Sequence, residues 1–142
     1  MYKRQRVEIT LIKNDDDNQI TAFKLARIIF AETGGHSLRA AEALASMIYN
    51  LHKSTNRELS EIITDKEIFE CLNKNSTRYS LLTSDINSRG MQMCVRIVQR
   101  LSKGRIQSDI MNTTRFHRED LSPDWAALLG YVAEIDGLLF YK

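Results

Sequence analysis

The stretch that most constrains this fold runs from Leu25 to Asn50, where two apolar runs at helical spacing flank a pair of glycines. Phe23, Ala26, Ile29 and Phe30 repeat at three to four residues before the break, and Ala41, Leu44, Ala45, Ile48 and Tyr49 repeat likewise after it. The pattern predicts a first helix over Ile20 to Ala31 and a second over Leu38 to Lys53. Gly34-Gly35 ends the first, because glycine enters the left-handed region without steric cost. Ser37 is placed to cap the second. Ala40, Ala41, Ala43 and Ala45 let a neighbouring helix approach closely, which puts the second helix at the centre. Glu32 stands at the break, backed by apolar side chains. Burial disfavours the ionised form, so its pKa is expected to rise. A carboxyl still protonated near neutral pH can donate to a leaving group.

The rest of the chain arranges itself around this pair. Val7, Ile9 and Leu11 alternate with polar residues and hint at a short strand. Asn14-Asp15-Asp16-Asp17-Asn18 reads as a polar loop leading into the first helix. Residues 1–18 are therefore taken as a peripheral segment and 19–142 as one domain. Short helical pieces are expected over Glu58 to Ile63 and Lys66 to Leu72, and a loop over Asn73 to Ser80. Ser84 is expected to cap an amphipathic helix from Asp85 to Lys103, with Ile86, Gly90, Met93, Cys94, Ile97 and Leu101 on its buried stripe. Gly104 stops it. Asn112 to His117 reads as extended. Ser122-Pro123-Asp124-Trp125 reads as a helix start with proline at its first position. Asp136-Gly137 between two apolar runs is a hairpin signal. The fold class expected is α+β, mainly α-helical, with a small C-terminal antiparallel sheet.

Composition removes several functions. The 142 residues suit one domain, and a formal net charge of +2 leaves no strong electrostatic footprint. No nucleic-acid partner is expected, since no groove-reading motif or aromatic-basic interleaving is present. No run of about 18 apolar residues occurs, so no membrane span is expected. The basic start Met1 to Arg6 is followed by too short an apolar run, broken by Glu8, to read as a secretory signal. Cys71 and Cys94 are expected as free thiols on apolar faces. Neither has a partner at zinc-ligand spacing, and the Asn14 to Asn18 run lacks the glycine and distal glutamate of a calcium loop. No metal or cofactor is expected.

Three blocks of the sequence, taken in order, resemble the bacterial cell wall hydrolase family that includes the spore cortex-lytic enzymes. The first is Leu25-Ala26-Arg27-Ile28-Ile29-Phe30-Ala31-Glu32-Thr33-Gly34-Gly35 through Ile48-Tyr49-Asn50, which aligns without a gap from Glu32 to Asn50. The second is Thr114-Arg115-Phe116-His117, similar to the family's Thr-His-Tyr/Phe-His. The third is Ser122-Pro123-Asp124-Trp125 with the ending Ile135 to Tyr141, where the family has Pro-x-Trp and a terminal Phe-Tyr. Phe69-Glu70-Cys71 is a weaker echo. The chain departs from the family at Gly34, His36, Ala41, Leu51, Arg115 and Leu138.

The resemblance implies a lysozyme-like helical domain that acts on peptidoglycan glycan strands in the bacterial cell envelope. It implies a lytic transglycosylase cutting the bond between N-acetylmuramic acid and N-acetylglucosamine, with Glu32 as the single catalytic acid. Asp85, Asp109, Glu119 and Asp120 read as cap or loop acids, so no second catalytic carboxylate is nominated. Thr114, Phe116, His117, Asn50 and Tyr141 are the expected substrate-binding residues. Trp125 is read as core. His117 is equally readable as a structural hydrogen-bonder, and it would need a bulge or a different wall to join Thr114 and Phe116. Two other readings stay open: an N-acetylmuramoyl-L-alanine amidase, and a non-catalytic glycan-binding module with the same fold.

Overall fold

The computed structural model describes residues 15–105 and 112–142, which form a mixed helical and antiparallel structure. The strand expected through Val7, Ile9 and Leu11 lies outside the described residues. Helix α1 spans Asp15–Thr33, so the polar run after Asn14 is the first turn of a helix, not a loop. The buried face of α1 is Leu25, Ala26, Ile28, Ile29 and Ala31, while Phe23, expected on that face, is exposed.

Helix α1 ends where the glycines require it. Gly34 and Gly35 take φ of +78° and +72°, and the Gly34 N–H donates to the Phe30 carbonyl at 2.8 Å. Helix α2 spans Leu38–Thr55, and the Ser37 hydroxyl accepts from the Ala40 N–H at 3.0 Å. Its alanines Ala40, Ala41, Ala43 and Ala45 are buried. With side chains this small, α2 packs against α1, α4 and two strands of the sheet.

Helix α3 is the short Leu59–Ile62. The helical piece expected over Lys66 to Leu72 reduces to a 3-10 turn at Glu70–Leu72, followed by another at Tyr79–Thr83. Helix α4 spans Arg89–Ser102 and starts at Ser88, not Ser84. The carboxylate of Asp85 accepts from the Asn87 N–H at 2.9 Å, a local turn that competes with helix formation and delays it. Ser88 then accepts from the Met91 N–H. Met91, Cys94, Ile97, Val98 and Leu101 form the buried stripe. A side chain at Gly90 would sit 2.8 Å from the Gly35 carbonyl oxygen, so the start of α4 crosses the end of α1 with backbones touching. Both cysteines are buried free thiols.

Strands β1 (Arg115–Arg118), β2 (Tyr131–Ile135) and β3 (Leu138–Tyr141) form an antiparallel sheet in the order β1-β3-β2. The turn Asp136-Gly137 joins β2 to β3 with positive φ at both residues, as the primed hairpin turn demands. Phe116 pairs across the sheet with Phe140 and packs on Phe69, which fastens the sheet to the segment ahead of the first 3-10 turn. Pro123 precedes a 3-10 turn at Asp124–Ala127 and occupies the cap position, not the first helical one.

Candidate active site

Glu32 is the last residue but one of α1, just ahead of Gly34-Gly35, and the fold closes over it. Only 1% of the residue is exposed. Its carboxylate is met from two later parts of the chain. Oε1 accepts from Arg118 Nη1 at 2.7 Å, and Oε2 accepts from the Cys71 backbone N–H at 3.2 Å. Arg118 ends β1, and Cys71 belongs to the 3-10 turn after Phe69, so helix, turn and sheet converge on one carboxyl. Arg78 fastens the same helix end by donating to the Ala31 carbonyl at 2.9 Å. This suits a cation at the negative pole of α1.

Arg118 is itself shared. Its Nη2 donates to Glu70 Oε1 at 2.7 Å, and its Nε donates to Asp120 Oδ1 at 3.1 Å. Ser76 also donates to Glu70 Oε1 at 2.7 Å. One guanidinium thus faces three carboxylates. Burial works against its charge, but the bonds to Glu32 and Glu70 carry its pKa above the ordinary arginine value. Burial raises the Glu32 carboxyl above its ordinary range, and the opposing pull of Arg118 and Cys71 is too small to reverse this. Asp120 moves the other way: it loses some hydration, but its bond to Arg118 and that charge hold its carboxyl low. Burial, with the nearby Glu32 charge, pushes the Cys71 thiol up, so it stays protonated. Burial alone pushes Cys94 up to about 12.

Glu32, Glu70 and Arg118 line an open cavity of about 320 Å³ together with Phe116, His117 and Trp125. That volume lies at the lower end of small-molecule sites, about 300–1,000 Å³. Ile68, Leu121 and Pro123 supply apolar wall, and Lys66 and Glu67 stand at the same cavity. Phe116 and Arg118 share one face of β1, while His117 points to the other and meets Trp125 edge-on at 5.7 Å. His117 therefore reaches the cavity from a different wall. Both its nitrogens are engaged: Nδ1 lies 2.8 Å from the Arg118 carbonyl and Nε2 lies 2.8 Å from the Tyr141 hydroxyl. A carbonyl can only accept, so Nδ1 carries the proton and, in the neutral ring, Tyr141 donates to Nε2.

Of the residues singled out from the sequence, Glu32, Phe116 and His117 meet at the cavity. Tyr141 stands behind His117, ring centroids 5.4 Å apart. Thr114 and Asn50 are not part of the lining. The Thr114 N–H donates to the Tyr141 carbonyl at 3.0 Å, and Asn50 Nδ2 donates to the Thr113 carbonyl at 3.1 Å. Asn50 therefore ties α2 to the chain entering β1. Trp125 is a half-buried wall of the cavity rather than core, with Arg115 over its ring at 4.3 Å. Arg118, Glu70 and Asp120 were missed in their present role. Glu70 did lie in the Phe69-Glu70-Cys71 echo. Arg118 had no local signal, because its partner Glu32 is 86 residues away.

Among the described residues, no group of three or more His, Cys, Asp or Glu is arranged to hold a metal ion, and no helix is long and apolar enough to cross a membrane. Comparison with protein-family models, with curated proteins and with solved structures gives no match for this chain.

Proposed function

We propose that this chain cleaves peptidoglycan at the bond between N-acetylmuramic acid and N-acetylglucosamine as a lytic transglycosylase, with Glu32 as its acid and then its base. The proposal includes a lysozyme-like arrangement of the helical part and action at the bacterial cell envelope. One observation carries it: a buried carboxyl, raised above the ordinary range by desolvation, lines an open cavity with aromatic walls. Desolvation favours the protonated form, which is the form a general acid must hold before it donates.

The chain's own residues fit the steps. Arg118 holds Oε1, so the proton resides on Oε2, which keeps its Cys71 contact through a lone pair and donates toward the glycosidic oxygen. Positive charge then develops at the sugar carbon, as in other glycosidic cleavages. Glu32, now ionised and steadied by Arg118, accepts the proton of the sugar's own 6-hydroxyl as that oxygen attacks. The product is a 1,6-anhydro sugar, and the carboxyl is again protonated. Trp125 offers its ring to the sugar, and buried Phe116 backs the wall beneath it. The His117–Tyr141 pair holds the wall beside them.

A second reading is favoured by the fact that both Glu32 oxygens already have partners. A carboxyl so fully engaged fits a non-catalytic glycan-binding module. Digestion of purified peptidoglycan by the full chain and by Glu32→Gln separates the two. The enzyme reading expects anhydro-sugar fragments from the native chain and a loss of at least about 100-fold in the variant. New reducing ends without anhydro sugar would indicate a hydrolase, and freed stem peptides an amidase. Retention on peptidoglycan with no product from the native chain would establish the binding module instead.

A further inference from the structure

We propose that a second groove, formed by the C-terminal half of α4 and the start of α2, binds a phosphodiester polymer whose backbone carries no stacking bases. The groove is about 540 Å³ and shares no lining residue with the Glu32 cavity. Arg96, Arg100, Lys103 and Arg105 line it, over an aliphatic floor of Leu38, Met93 and Ile97. Among the described residues its one acidic contact is Glu42, which holds Arg100 Nη2 at 2.9 Å. Among the described residues, Arg96, Lys103 and Arg105 have no ion pair.

A second observation asks for an acceptor. Arg105 Nε is buried and has no hydrogen-bond partner among the described residues. A buried donor on a charged group left without an acceptor is costly, and such atoms commonly mark an absent ligand or water. The backbone puts Arg105 there. Gly104 adopts φ +68°, and the Arg105 N–H turns back to the Arg100 carbonyl at 2.9 Å, which closes the end of α4. The negative pole of α4 accounts for a cation at its last turn. It does not account for Arg96, nearly two turns earlier.

The spacing selects the class of ligand. Arg96, Arg100 and Lys103 stand at i, i+4 and i+7, so they follow one face of the helix over about 10 Å at 1.5 Å per residue. A track of that length matches successive charges on a chain better than one small anion. Guanidinium forks favour phosphate oxygens. No lining residue is aromatic, whereas grooves for single-stranded nucleic acid supply rings for base stacking. Aliphatic floor and cationic rim together suit a polyol phosphate.

The test uses the full chain and a labelled poly(glycerol phosphate) of about ten units, followed by anisotropy between about 50 and 200 mM salt. Binding is expected with a log–log salt slope near about −2, the value for three phosphates. Arg96→Glu with Lys103→Glu should weaken binding by at least about tenfold and flatten the slope. Arg96→Gln with Lys103→Gln should do so less strongly, which guards against a folding defect, itself checked by circular dichroism. Lys24→Glu with Lys74→Glu makes the same change in net charge on exposed residues outside the groove and should leave binding within about twofold. Equal loss in that control would overturn the proposal. So would equal or tighter binding of a ten-nucleotide DNA strand, full competition by inorganic phosphate at low millimolar concentration, or no binding at the lowest salt.

Discussion

Arg118 and Arg57 each gather acidic side chains at hydrogen-bond distance, but they sit in different media. Arg57 meets Glu61 at 2.9 Å and Asp65 at 3.1 Å on the surface near α3, with its side chain 30% exposed. Arg118 meets Glu32, Glu70 and Asp120 with its side chain 3% exposed. Water can replace either acid around Arg57, so that cluster is worth little. Around Arg118 water is excluded on the Glu32 side, and a lost partner leaves a charge stranded. The number of ion pairs is therefore a poor guide to their importance. The gradient within the Arg118 cluster matters more, because its acids run from fully buried Glu32 through Glu70 to half-exposed Asp120. The same guanidinium holds a carboxyl with a raised pKa at its inner end and one with a lowered pKa at its outer end.

The comparison can be broken most forcefully at Arg118 itself. Arg118→Met should cost up to about 3–5 kcal/mol at alkaline pH, where Glu32 is driven to ionise without its partner. At acid pH the loss should shrink, since Glu32 takes up a proton instead. Equal losses at both pH values, measured by urea unfolding, would contradict the account. Next comes Glu32→Leu, which leaves Arg118 paired with Glu70 and Asp120 and strands the Cys71 N–H. A cost of about 1–3 kcal/mol is expected. A larger loss than for Arg118→Met would reverse the assigned order. Arg57→Gln should cost about 1 kcal/mol or less, with the effect fading as salt is added.

The finest test is the slope of stability against pH. Native Glu32 binds its proton more tightly than the unfolded chain does. Its stabilising contribution is therefore complete below the ordinary value of 4.5 and is lost as pH rises through the raised folded value. Asp65 and Asp120 have the opposite sign. Both are held below their ordinary 3.8, so their contribution is present above 3.8 and is lost as pH falls through the folded values. Unfolding at a series of pH values should show stability rising toward pH 4 and declining above pH 4.5. Glu32→Gln should abolish the decline and keep the rise.

Much of this was legible in the residues. The α1–Gly-Gly–α2 hairpin, the Cys94, Ile97 and Leu101 part of the α4 stripe and the Asp136-Gly137 turn follow from local rules of spacing, capping and positive φ, so short windows carried them; Ile86 falls before α4, and Gly90 and Met93 are only half-buried. The misplacements also have local causes. Ser84 offered a cap, but the Asp85 turn used the backbone first, and Ser88 became the cap. Lys66 to Leu72 had helical composition, yet this segment must bring Cys71 N–H and Glu70 to the end of α1, and a 3-10 turn does that. Trp125 looked like core because large aromatics usually are, but here it walls a cavity.

By itself the sequence determined that α1 stops at Gly34-Gly35, that Ser37 caps α2, that Asp136-Gly137 turns one strand onto the next, and that one carboxyl stands at the break between two apolar helices. Those features depend on neighbours a few residues apart, whose geometry the backbone imposes. Only the tertiary structure decided that Arg118 closes on Glu32 from 86 residues away, that Glu70 and Asp120 share its guanidinium, and that four cations gather along α4. Electrostatics acts through space and depends on burial, and neither distance nor burial is written in the order of residues along the chain.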